Sequence, residues 1–186
     1  MSDNRYIILD RDGVINSDSS SYIKNTNEWN PLPRSLEAIS LLTKNSYKIL
    51  IISNQSGISR GIIKYDDHIK IHSKLLSMSS QHGGTIFSSY YCFDHPDYKS
   101  SYRKPKPGMY LDFANRLSID LSSVFAIGDS PRDMEAALSA GCKPLGVMTG
   151  NGKEIQKKMS NIEMFDDLFD AAKFVIEYDK QYILNI

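Results

Sequence analysis

The stretch YIILDRDGVIN, residues 6–16, joins an apolar run of strand length to two acids and a glycine. Four large apolar residues in succession, Tyr6, Ile7, Ile8 and Leu9, lack the alternation of a half-solvated strand. They read as a strand buried on both faces, which occurs in parallel sheets covered by helices. Asp10 and Asp12 then fall where the chain leaves the strand.

Working outward, runs of similar length recur at residues 47–52 (YKILII), 85–91 (TIFSSYY), 124–127 (VFAI) and 144–148 (PLGVM). Between them lie stretches of helical period. Residues 36–42 follow Pro33, residues 64–81 run to Gly83-Gly84, and residues 109–117 carry the next apolar face. Residues 132–140 stop at Gly141, and residues 152–160 and 165–178 supply two more helices, the last amphipathic through Phe165, Leu168, Phe169, Ala172 and Val175. Strand alternating with helix predicts an α/β domain with a parallel sheet and helices on both faces. Residues 92–107 hold three prolines and little periodicity, and read as a long connection.

The chain has 186 residues, the length of one such domain, so residues 1–186 are read as a single unit. Lys plus Arg and Asp plus Glu both total 22, which leaves no excess charge to draw the molecule to nucleic acid or an anionic membrane. Cys92 and Cys142 are too few for a secreted disulfide framework, and no run reaches the ~20 apolar residues of a membrane span. With no signal-peptide pattern in MSDNRYIILDRDG, the expected setting is the cytoplasm.

Doubly wound sheets bind ligands beyond the carboxyl ends of their strands. Those ends here offer Asp10 and Asp12, then Ser53 and Asn54, then the loop to Arg103 and Lys104, then Asp129 and Asp133. Singly each has a bland reading, as solvated loop, turn or wet surface. Together they suit phosphoryl transfer. An aspartate just past a strand attacks phosphorus and splits a very slow hydrolysis into two easier steps, the role given to Asp10. A second carboxyl two residues on, Asp12, protonates the departing alcohol and then activates water. An anionic nucleophile facing an anionic ester calls for a hard cation. Asp10, Asp129 and the Asp12 carbonyl are the candidate Mg²⁺ ligands, while Ser53 and Lys104 stabilise the transferring group.

LDRDGVIN (9–16), SNQSGISRG (53–61), RKPKPGM (103–109) and GDSPRD (128–133), in this order beside predicted strands, resemble the haloacid dehalogenase superfamily of aspartate-nucleophile phosphotransferases. Within it the likeness is to the heptose-bisphosphate and histidinol phosphatase family, over roughly residues 5–150. The resemblance implies the superfamily's Rossmann-like three-layer sandwich with only small loop caps. It implies Asp10 as nucleophile, Asp12 as acid/base, Ser53 and Lys104 at the phosphoryl group, and Asp10, Asp12 and Asp129 at Mg²⁺. It further implies a phosphorylated sugar substrate, most plainly a heptose bisphosphate on the route to lipopolysaccharide. Substrate contacts would fall on Arg11, on Asp18, Ser19, Ser20 and Ser21, on Ser53, Asn54, Gln55 and Ser56, and on Arg103 and Lys104, with Arg103 gripping the phosphate that is not cleaved. A monomer is expected.

The chain departs from that family in one place. Relatives commonly carry a zinc knuckle of Cys-x-His followed by Cys-x-Cys before the Arg-Lys pair. Here the positions read Cys92-Phe93-Asp94 and Ser100-Ser101-Tyr102. A closed zinc site wants four good ligands, so none is expected, and Cys92 is read as a small buried residue at a strand end. Without zinc the loop is left to packing by Tyr98, Tyr102 and the prolines, or to greater mobility. His68 and His72, four apart, lack a third ligand and read as a solvated or half-buried helix face. Trp29 either packs behind the polar loop or lines the pocket mouth. Rival readings of the same motifs are a histidinol-phosphate or broad phosphomonoesterase, a phosphoacceptor signalling domain and an inactive interaction module. An acid two residues after the nucleophile serves leaving-group protonation, which a phosphoacceptor switch does not need.

Overall fold

The computed structural model of the chain describes residues 5–184. Six strands, β1 (Arg5–Leu9), β2 (Tyr47–Asn54), β3 (Ile86–Cys92), β4 (Phe125–Gly128), β5 (Lys143–Val147) and β6 (Glu163–Phe165), form one sheet in the order β3-β2-β1-β4-β5-β6. All five pairings are parallel. The helices are α1 (Ser35–Lys44), α2 (Tyr65–Gln81), α3 (Gly108–Leu117), α4 (Pro131–Ala140), α5 (Gly152–Lys158) and α6 (Leu168–Leu184).

Side chains alternate across each strand, so every strand feeds two cores. Ile7, Leu9, Ile49, Ile51 and Ile127 face one side and pack against α1, α2 and α6 through Leu36, Ile39, Ile71, Leu75, Ala172 and Val175. Ile8, Leu50, Ile52 and Ala126 face the other and meet Met109, Tyr110 and Phe113 of α3 with Ala136 and Ala137 of α4. The result is the three-layer α/β/α sandwich expected from sequence. The α4 start is built by a capping box between Ser130 and Asp133 with Pro131 in the first turn, and the helix ends at Gly141 in the left-handed region.

Two segments depart from expectation. Phe165, assigned to the last helix, ends β6 instead, and that helix begins three residues later. A three-residue edge strand carries too little pattern to read. The connection at residues 92–107 is not held by tyrosine packing, because Tyr98 and Tyr102 are 72% and 46% exposed. Polar contacts tie it down: Arg103 Nη1 donates to the Asp94 carbonyl at 3.3 Å, Gly108 N to the Ser101 carbonyl at 3.0 Å, and Lys106 Nζ to the Lys99 carbonyl at 2.6 Å. Asn54 fastens its end to the sheet, its side chain exchanging hydrogen bonds with Lys104 O (3.0 Å) and N (3.1 Å).

Trp29 is fully buried behind the polar loop, with Lys74 Nζ 5.5 Å from its ring centre. His68 is buried rather than solvated, edge-on to Tyr91 with ring centres 4.5 Å apart. Of the final segment, helix α6 continues through Leu184, and the Tyr47 hydroxyl donates to Asp179 at 2.5 Å; residues 185–186 lie outside the described part.

Candidate active site

Strand order reverses at β1, which has β2 on one side and β4 on the other, and such a reversal opens a crevice at the carboxyl ends of the strands. A cleft of about 540 Å³ lies there. It is lined by Asp10, Arg11 and Asp12 after β1, Ser53 to Ser56 at the end of β2, Arg103 and Lys104 from the long loop, and Asp129 after β4. Asp18, Ser19 and Ser20 close one side. Ser21, whose amide donates to Ser19 Oγ, is not among the lining residues.

The charges are arranged around a buried lysine. Lys104 Nζ lies 3.1 Å from Asp10 Oδ1 and 2.6 Å from Asp133 Oδ1, and donates to the Ile52 carbonyl at 2.7 Å. Burial alone would lower the lysine pKa, but the charges of Asp10 and Asp133 outweigh it and hold the ammonium protonated. Asp133 is pushed up by burial and pulled down further by Lys104 and Ser130, so it stays a carboxylate. Sequence reasoning placed Asp133 at the strand ends without giving it a role. Its signal was the fifth position of DSPRD, on the first turn of α4 beside the capping serine.

Asp129 is the strained member. Burial, then the charges of Asp10 and Asp133, raise its pKa to about 8, although the Asn151 amide donates to Oδ2 at 2.8 Å. Asp10 is raised to about 6, chiefly by burial, with Lys104 opposing and Asp133 and Asp12 adding to the rise. Ligand atoms of Asp10, Asp129 and Asp133 all lie within 4.8 Å of one another. Gly13 and Gly150, both with positive φ, leave the space this cluster needs, because a Cβ at either would overlap the Asp129 carboxylate. Asp10 and Asp129, crowded until they resist ionising, form with their all-oxygen surroundings a donor set that fits a hard divalent cation such as Mg²⁺.

Asp12 differs from its neighbours. Burial raises its pKa, but Arg11 and hydrogen bonds from Arg11, Asn16 and Gln55 bring it below the ordinary carboxylate range. Arg11 and Gln55, both expected at the substrate, donate to this carboxylate, and Gln55 Nε2 also reaches Ser53 Oγ at 3.2 Å. Two arginines that sequence reasoning passed over, Arg60 and Arg132, line the same cleft as Arg103. Both fall inside the quoted motifs SNQSGISRG and GDSPRD but received no role, because each lies in a loop or first helical turn that only the fold brings to the cleft. Their positive charges, after burial, lower the pKa of Arg103. Cys92 Sγ lies 3.6 Å from Asp94 Oδ2, and burial raises its thiol pKa.

A parallel sheet reversing at β1, with an acid cluster and a buried lysine at the reversal, defines a haloacid dehalogenase-type hydrolase of phosphoric monoesters. The comparisons agree. A family model described as HAD-hydrolase-like matches residues 101–171. A D-glycero-beta-D-manno-heptose-1,7-bisphosphate 7-phosphatase of Bordetella bronchiseptica is 45% identical over 150 residues, which cover 81% of this chain and 84% of that protein. One of Pseudomonas putida is 40% identical over 174 residues, covering 92% and 99%. The crystal structure of D,D-heptose 1,7-bisphosphate phosphatase from B. bronchiseptica, complexed with magnesium and phosphate, superposes with a TM-score of 0.91 at 40% identity, covering 94% of this chain and 99% of that one. The chain belongs to the heptose-1,7-bisphosphate 7-phosphatase family of the haloacid dehalogenase superfamily. Among the described residues no helix is long and apolar enough to cross a membrane.

Proposed function

We propose that this chain is a Mg²⁺-dependent phosphatase that removes the 7-phosphate of D-glycero-D-manno-heptose 1,7-bisphosphate, in the supply of activated heptose for lipopolysaccharide. The observation that carries the bisphosphate reading is a group of arginines in the same cleft as the acid cluster and its buried lysine. Lys104 lies beside Asp10, and Arg60, Arg103 and Arg132 gather at the same cleft without a carboxylate at ion-pair distance among the described residues. Three guanidinium groups that raise one another's energy gain most from a second dianionic group. Asp18, Ser19, Ser20, Asn54 and Ser56 would contact the sugar between the two phosphates.

In this reading Asp10 attacks phosphorus, the bond from phosphorus to the sugar oxygen breaks, and that oxygen takes a proton from Asp12, which must first be protonated against the pull of Arg11, Asn16 and Gln55 toward its carboxylate form. Asp12, now a carboxylate, removes a proton from water as its oxygen bonds to phosphorus. The bond from phosphorus to Asp10 breaks, which releases phosphate and restores both carboxyl groups. Lys104 and the Ser53 hydroxyl donate to the phosphoryl oxygens as charge develops on them. Mg²⁺, held by Asp10, Asp129 and the Asp12 carbonyl, would when bound offset the negative charge of ester and nucleophile.

The chain would work as one domain over residues 1–186, a monomer in the cytoplasm, with no structural zinc. The last point rests on the ligand set: Cys92 is the only thiol in the 92–103 loop, and the two positions of the relatives' Cys-x-Cys are Ser100 and Tyr102.

Phosphate release tests the proposal, measured with both anomers of heptose 1,7-bisphosphate, fructose 1,6-bisphosphate, histidinol phosphate and an aryl phosphate, with Mg²⁺ or EDTA. A strong Mg²⁺-dependent preference for one heptose anomer is expected. Preference for histidinol phosphate, or equal low activity on every ester, would overturn the substrate.

A further inference from the structure

Arg11 separates the two aspartates in sequence and is 1% exposed. Its Nε donates to Asp12 Oδ1 at 3.0 Å and its Nη2 to Asp12 Oδ2 at 2.8 Å, the two-pronged geometry that a guanidinium makes with a carboxylate. The same Nη2 donates to Gln55 Oε1 at 2.9 Å. Gln55 closes the ring, its Nε2 donating to Asp12 Oδ2 at 2.7 Å, and Asn16 Nδ2 reaches Oδ1 at 2.8 Å. Four hydrogen bonds thus meet two oxygens, so Asp12 takes up a proton only as one of these bonds gives way, while the rest keep the group in place. The remaining nitrogen of Arg11, Nη1, is sealed from solvent. Behind the guanidinium lies the Tyr91 ring, 5.9 Å from Arg11 Cζ, and the Tyr91 hydroxyl is 2.9 Å from His72 Nδ1.

A substrate contact would keep donors turned toward the cleft. Taking a guanidinium out of water is costly unless a carboxylate and further hydrogen bonds meet it, and here the carboxylate is that of Asp12 and the further partner is Gln55, while Nη1 has none. We propose that Arg11 and Gln55 are positioning residues, a buried clamp that fixes the orientation of the Asp12 carboxyl group for its two proton transfers. They act on the leaving oxygen and on the attacking water only through Asp12. The inference rests on the reading of Asp12 as the general acid/base.

The clamp has a kinetic signature that a substrate contact lacks. An aryl oxygen departs without needing a proton, so the first step on an aryl phosphate requires Asp10 and scarcely requires Asp12. Hydrolysis of the aspartyl phosphate still needs Asp12 as base. The experiment compares Arg11→Lys, which keeps the charge but loses the fork, with Gln55→Met, which keeps the length and loses the hydrogen bonds to Arg11 and Asp12 together with a longer one to Ser53 Oγ at 3.2 Å. Wild type and Asp10→Asn are the controls. Steady-state kcat and KM are measured on heptose bisphosphate, the pre-steady-state release of the aryl alcohol on an aryl phosphate, and thermal unfolding confirms the fold.

Both variants should lose roughly ten- to a hundredfold in kcat, the scale on which a misplaced catalytic group acts, with KM within about twofold of wild type. On the aryl ester each should still release a rapid first equivalent of alcohol, followed by a slowed steady rate. A raised KM with kcat retained would overturn the clamp in favour of substrate contact. Loss of the rapid phase along with kcat would overturn it in favour of general disruption of the site. Failure of the underlying chemistry would show elsewhere, as turnover by Asp10→Asn.

Discussion

Lys104 Nζ lies 2.6 Å from Asp133 Oδ1, both side chains almost wholly buried, so a lysine from the long loop is pinned to the first turn of α4. The contact joins two segments that are distant in sequence and fixes the ammonium within 3.1 Å of Asp10. Removing one partner of a buried ion pair leaves an uncompensated charge, at a cost of about 3–5 kcal/mol. Asp133→Ala should therefore lower unfolding stability by about 3 kcal/mol, the small end because Asp10 still faces the lysine. Urea denaturation measures this. Lys104→Met should also reduce kcat by about 10²- to 10³-fold, the usual loss for a donor aimed at developing charge.

At the cleft mouth the effect should fall on binding. Arg60→Ala and Arg132→Ala are expected to raise KM for the bisphosphate at least about tenfold each, while KM for an aryl monophosphate stays within about twofold. Steady-state kinetics on the two esters separates these outcomes, and equal changes on both would place the arginines outside a second phosphate subsite.

His68 sets an acid limit to stability. Burial first, then the charges of Arg11 and His72, lower its pKa from 6.5 to about 4. The unfolded chain binds the proton that the folded chain refuses, so the folded state loses stability as pH falls from 6.5 toward 4. The slope from this residue is at most about 1.4 kcal/mol per pH unit. Denaturation at a series of pH values should show it, and His68→Phe should flatten it.

Metal analysis of protein purified without added zinc should find far less than one zinc per chain. A chelator should leave the thermal midpoint of apo protein unchanged. A stoichiometric zinc would contradict the assignment of Cys92 as a lone buried thiol.

The sheet was legible because its central strands are buried on both faces and so spell continuous apolar runs, as in YIIL and YKILII. Edge strand β6 was not, since three residues with one exposed side carry no period. Asp10, Asp12, Ser53 and Asp129 could be brought to one edge from sequence because each follows or ends a strand, where the topology gathers ligands, whereas Lys104 lies in the long loop after β3 and was picked out by the RKPKPGM motif. The direction in which Arg11 and Gln55 point was not legible. Their types suit a phosphorylated substrate, and only the depth at which the fold buries them turns their donors onto Asp12. Arg60 and Arg132 were missed for the opposite reason: exposed arginines are common, and convergence is a property of three dimensions.

The central claim is that Asp10 becomes phosphorylated during turnover. Asp12→Asn, which lacks the base for hydrolysis, should accumulate that state, so it can be mixed with Mg²⁺ and an aryl phosphate, quenched in acid and digested for mass spectrometry. The account predicts a phosphoryl group on the peptide holding Asp10, absent from Asp10→Asn treated alike. Turnover by wild type with no adduct in any quench, or an adduct on another residue, would contradict it.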